Sequence, residues 1–157
     1  MGLIPSSDNM PSSKFVSPTN FGVVKANQNF TIQMAIENLE SGNFVNPDAS
    51  YFAAPQQLNP QGQITGHSHF VIQKITDFNQ TTVVNAKTFA FFTAVNSPAV
   101  NGIVSEVVTG GLPPGNYKLS SINTAANHQP VLVPIAQHGA LDDTIYVSRS
   151  VIFDHIG

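Results

Sequence analysis

The stretch Thr65-Gly66-His67-Ser68-His69-Phe70-Val71-Ile72-Gln73-Lys74 reads as a strand near the middle of a sheet. Side chains alternate along a strand, so His67 and His69 share one face while Ser68, Phe70 and Ile72 take the other. One face carries imidazoles and the other faces a core. Residues two apart on an extended backbone lie roughly 7 Å apart, close enough for their ring nitrogens to converge on one ion.

Working outward, the neighbouring segments follow the same two-residue period. Phe30 to Ile36 alternates Phe30, Ile32, Met34 and Ile36 against Thr31, Gln33 and Ala35. Thr88 to Val95, with Phe89, Phe91 and Phe92, is apolar on both faces and is expected as a buried central strand, core rather than a stacking platform. Further strands are expected over Ile103 to Val108, Asn116 to Ile122 and Thr144 to Phe153, with Val131 to Ala136 as an edge strand kinked by Pro134. Gly110-Gly111-Leu112-Pro113-Pro114-Gly115 is a strong turn signal, and its spacing to Tyr117 matches turns in which a tyrosine hydroxyl bonds back to nearby backbone.

Short strands separated by turns, with no amphipathic helical period, predict an all-β protein: an antiparallel Greek-key, Ig-like β-sandwich of seven or eight strands, with a small β-barrel as the alternative. The Ser- and Pro-rich residues 1–19 are expected as an extended arm and residues 20–157 as one domain. The long connection Glu37 to Pro60 has no sustained period, which in a compact domain points to a functional loop.

Composition removes several function classes. The 157 residues include no cysteine, which excludes disulfides, thiol nucleophiles, zinc thiolates and the His2Cys copper site. Only 10% of residues are charged and the net charge is −3, with the six Lys and Arg scattered, so nucleic acid lacks its electrostatic footprint. No apolar run approaches the ~20 residues of a membrane span, so no membrane insertion is expected. The N-terminus carries no signal-peptide core, which a mature exported form carrying a replacement Met-Gly would equally lack. Two acceptor sequons, at Asn29 and Asn79, fit that extracellular reading as glycosylation sites.

Chemistry concentrates in histidine. His67, His69, His128 and His138 all fall beside expected turns, where a Greek key would gather them; His155 lies at the tail. Three such imidazoles could hold zinc or copper and leave a position for water. Asp142 and Asp143 are the candidates to orient an imidazole from behind. No Gly-x-Ser-x-Gly elbow exists, and Glu37, Glu40 and Glu106 are too isolated for a two-carboxylate glycosidase. Superoxide dismutase ligands beyond His-x-His have no match, and Gln73 and Lys74 stand where a cupin needs glutamate.

Gly66-His67-Ser68-His69-Phe70, Leu112-Pro113-Pro114-Gly115 and Asn127-His128 resemble a family of small exported Ig-like domains of unknown function. The family's usual third histidine is replaced here by Ser68. That resemblance implies a sandwich, export and a histidine cluster, and assigns no activity. In general character the chain also resembles cysteine-free secreted proteins of filamentous fungi, among them hypersensitive-response elicitors of plant pathogens. The expected function is a secreted, non-enzymatic interaction protein, sensed by a host through a surface protein or cell-wall glycan, and the alternative is a copper- or zinc-binding histidine domain.

Overall fold

The computed structural model describes residues 1–51 and 53–151; His155 and the end of the last expected strand lie outside them. In chain order the strands are β1 Ser12–Ser17, β2 Val23–Lys25, β3 Phe30–Glu37, β4 Leu39–Glu40, β5 Ile64–Ile75, β6 Phe91–Val95, β7 Ile103–Val108, β8 Gly115–Ala125 and β9 Thr144–Ser150. One helical turn, α1 Pro47–Ser50, is capped by the Asn46 side chain, which accepts from the Asp48 amide. No helix among the described residues is long and apolar enough to cross a membrane.

The strands form two sheets, as the alternation predicts for an all-β protein. One has the order β1-β3-β7; the other runs β2-β9-β8-β5-β4, with β6 also paired to β5. The ladders are antiparallel, except for two short parallel contacts of β2 with β9 and β4 with β5. Alternate residues of each strand point inward and fill one core: Ile32, Met34 and Ile36 from β3, Val104 and Val108 from β7, Phe70 and Ile72 from β5, Leu119 from β8, Ile145 and Val147 from β9. Phe15 crosses between the layers to meet Phe70 edge-on at 5.4 Å between ring centroids. Its strand, β1, lies within the Ser- and Pro-rich arm and pairs with the edge of β3.

The expected tyrosine contact is present: the buried Tyr117 hydroxyl donates to the Pro113 carbonyl at 2.9 Å, pinning the turn that leads into β8. Arg149 on β9 is also buried, its guanidinium 4.1 Å from the Phe30 ring centroid and donating to the Gln28 carbonyl.

Two expectations fail. The Phe-rich segment is not a buried central strand: among the described residues β6 pairs with β5 alone, and Phe89 and Phe92 are 57% and 45% exposed. An apolar run on a strand with one partner turns alternate residues outward, so Val95 enters the core while Phe92 and Ala94 stay on the outer surface. The segment 131–136 is not a strand either. Among the described residues its backbone pairing with β8 is a single bond, from the Val131 amide to the Asn123 carbonyl, beside the isolated Thr124–Pro130 bridge. Pro134 removes a donor the ladder would need.

Candidate metal centre

β5 and β8 form the longest ladder, with His67 opposite Thr124 and His69 opposite Ile122. The alternation read from the sequence holds, since Phe70 and Ile72 are in the core while His67 and His69 stand on the outer face. Gly66 sets this register. A Cβ there would lie 1.9 Å from the Thr124 carbonyl oxygen, so only glycine lets β8 approach at the entry to the histidine pair.

β8 ends at Ala125, and the turn that follows swings His128 back over the same face. His128 adopts a left-handed backbone conformation, φ 70°, unusual for a residue with a side chain. Buried Asn127 braces it: its Oδ1 accepts from the Gln129 amide, and its Nδ2 donates to the Ala54 carbonyl and to Gln129 Oε1. The result is a group of three imidazoles, His67, His69 and His128, whose ligating nitrogens all lie within 4.8 Å of one another. His67 Nε2 is 3.1 Å from His69 Nε2 and 3.1 Å from His128 Nδ1.

The outward nitrogens decide what the inward ones offer. His67 Nδ1 lies 3.0 Å from the Asn43 carbonyl and His128 Nε2 lies 2.9 Å from the Val45 carbonyl. A carbonyl only accepts, so each of these nitrogens carries the proton. In the neutral rings, His67 Nε2 and His128 Nδ1 therefore present lone pairs to each other with no hydrogen between them. His69 has one proton at most to offer, and its Nδ1 finds no hydrogen-bond partner among the described residues. Burial favours the neutral form of His67 and His69. It lowers the pKa of His67, against the Asn43 bond and with help from His128, and it brings His69 down to about 4, with the neighbouring His67 and His128 adding to the shift.

Beside the group lies a cleft of about 530 Å³. His69 and His128 form part of its wall, together with Phe44, Tyr51, Phe92 and Ile122. Phe92 stacks on His69 with centroids 5.2 Å apart, and Tyr51 stacks on His128 at 5.3 Å. Phe44 meets His67 edge-on at 6.2 Å.

The other expected site residues go elsewhere. His138 is exposed in a loop, its Nδ1 against the Gly139 carbonyl, and is not part of the imidazole group. Among the described residues, neither Asp142 nor Asp143 bonds to a histidine. Asp142 accepts from Ser121 Oγ at 2.9 Å and from the Asn123 amide at 2.7 Å. Asp143 accepts from the Phe15 amide at 2.8 Å and from Lys14 at 2.9 Å. They tie β1 and β8 together, and the groups behind the imidazoles are backbone carbonyls instead. Those carbonyls sit in the connection Glu37 to Pro60, whose length was its only signal; Phe44, Tyr51 and Phe92 had none. Asn29 and Asn79 are both exposed.

Two comparisons bear on this chain. The family model described as the CLU5d N-terminal domain matches residues 13–150. Pathogenicity cluster 5 protein d of the fungus Colletotrichum graminicola is 43% identical over 147 residues, which cover 91% of this chain and 30% of that protein. The chain thus spans less than a third of that relative's length.

Proposed function

The chain belongs to the family of the CLU5d N-terminal domain, and from that premise we propose that it is a metal-binding module in which His67, His69 and His128 hold one zinc or copper ion. One observation carries the reading: two imidazole nitrogens face each other at 3.1 Å with their protons held on the far side by the Asn43 and Val45 carbonyls. A cation between them relieves the opposed lone pairs. A carbonyl behind each ring fixes tautomer and orientation, as ligating histidines generally require. With metal–nitrogen bonds of about 2.0–2.1 Å, two nitrogens on one ion lie at most about 4.2 Å apart, so the two 3.1 Å pairs fit as they stand, and the widest separation, up to 4.8 Å, has to draw in as the ion binds. Three ligands leave a coordination position open.

Metal analysis of the purified chain after equilibration with zinc or copper should give one ion per chain. The melting temperature should rise with the metal, by a stability of about 2.7 kcal/mol at one hundred times Kd. Both responses should vanish in His69→Gln combined with His128→Asn, whose folding is followed separately by circular dichroism. Absence of bound metal and an unmoved midpoint in the unsubstituted chain would remove the reading.

The setting we propose is an extracellular, non-enzymatic interaction domain of a pathogenicity-related fungal protein, with a host surface protein or cell-wall glycan as partner. The relative's name supports the pathogenicity-related fungal setting. The exposed sequon asparagines and the low charge support export. Leaf infiltration of pure protein should provoke a response; no response, together with no host ligand recovered on the immobilised chain, would sink it.

A further inference from the structure

We propose that the metal centre and its cleft together bind an aromatic oxyanion, one anionic oxygen ligating the ion and the ring lying against Phe92, Tyr51 and Ile122. The inference rests on the metal-binding reading and adds the ligand class. It starts from charge. Three neutral imidazoles leave the full charge of a divalent ion uncompensated, and no Asp, Glu, Lys or Arg among the described residues lines the cleft. The ion is therefore the only charged partner a ligand would meet there, and an anionic donor at the open position complements it. Away from the ion, the lining turns apolar. Besides the histidines, Asn96, Thr124 and the Tyr51 hydroxyl are the polar groups of the wall, so a ligand with many polar groups would leave most of them unpaired.

Shape narrows the class further. Phe92 and Tyr51 present rings already stacked on two of the ligating imidazoles, at interplanar angles of 29° and 21°. The cleft is walled by flat surfaces, which favour a planar ring in stacked or edge-on contact. A volume of about 530 Å³ falls within the range of small-molecule sites. Exposed aromatic side chains around the site also gain an explanation. Phe44, Tyr51 and Phe92 are each about half exposed without a ligand, on a chain with few charges to spare around them.

The test is calorimetric titration of the zinc-loaded full chain with benzoate, acetate and azide. Benzoate and acetate share the anionic donor and differ in the ring; azide reports the open metal position without needing the cleft. Benzoate should bind at least ten times more tightly than acetate. Phe92→Leu, which keeps apolar bulk but removes the flat face, and Ile122→Ser, which takes an apolar side chain out of the wall, should each shrink that ratio below threefold; benzoate and acetate meet the same ion, so the ratio cancels any effect passed to it through His69. Azide binding with equal affinities for benzoate and acetate overturns the cleft inference and leaves the metal reading standing. A chain that retains no zinc overturns both.

Discussion

Asp142 shows how a residue's neighbours decide its role. It was a reasonable partner for an imidazole by composition, yet its Oδ1 is occupied by Ser121 and the Asn123 amide. Burial raises its pKa, more than those two bonds lower it. A carboxyl whose folded pKa is raised contributes stability below its unfolded value near 3.8, and that contribution is lost as pH rises through the folded value. At neutral pH the fold therefore carries a partly buried charge at a cost. Asparagine would keep the oxygen acceptor and drop the charge. Asp142→Asn should melt at the same temperature as the unsubstituted chain or higher at pH 7, with the difference closing below about pH 4. A clear drop in midpoint at pH 7 would show that the charge itself holds Ser121 and Asn123.

At the scale of elements, the β5–β8 ladder governs both the core and the histidine group, and Gly66 governs the ladder. Gly66→Ala sets a methyl carbon 1.9 Å from the Thr124 carbonyl oxygen, a contact with backbone that no rotamer relieves. We expect a loss of roughly 1–3 kcal/mol, as for other overpacked sites, and weaker zinc binding because His67 and Thr124 face each other at the next pair. Denaturant unfolding and a zinc titration on the same sample check both. Elements with a two-residue period were legible in the sequence, even where the alternation is weak as in β7: β3, β5, β7, β8 and β9 all appear where it placed them. β2 and β4, at three and two residues, are too short to show a period and exist through parallel contacts with distant strands. β6 was misjudged for a different reason. Its run of phenylalanines signals apolar surroundings, but the surroundings on one side are the cleft rather than the core. The histidine group was legible in part, since spacing places His67 beside His69, whereas His128 joins them only through a tertiary turn that local sequence cannot locate.

Across the whole molecule, two layers carry different duties. The inner faces hold the apolar core and a buried polar relay in which Ser68 donates to Asn123 at 2.5 Å and Asn123 donates to Ser13 and the Leu141 carbonyl. The outer face of the larger sheet carries the imidazoles and the aromatic cleft. Low charge and freedom from cysteine are properties of the chain as a whole and were readable as such; the division of labour between faces needed coordinates.

The carbonyls of Asn43 and Val45 have a consequence for how the chain resists digestion. They couple the long connection after β4 to rings 24 and 83 residues further along. An occupied centre would stiffen that connection as a rivet stiffens a flap, and stripping the ion with a chelator should loosen it. Thermolysin needs zinc and calcium itself, so a serine protease is the suitable probe: subtilisin should nick the chain between residues 41 and 63 several times faster after chelation. Equal cutting rates with and without the ion would show that the flap is held by its own hydrogen bonds alone.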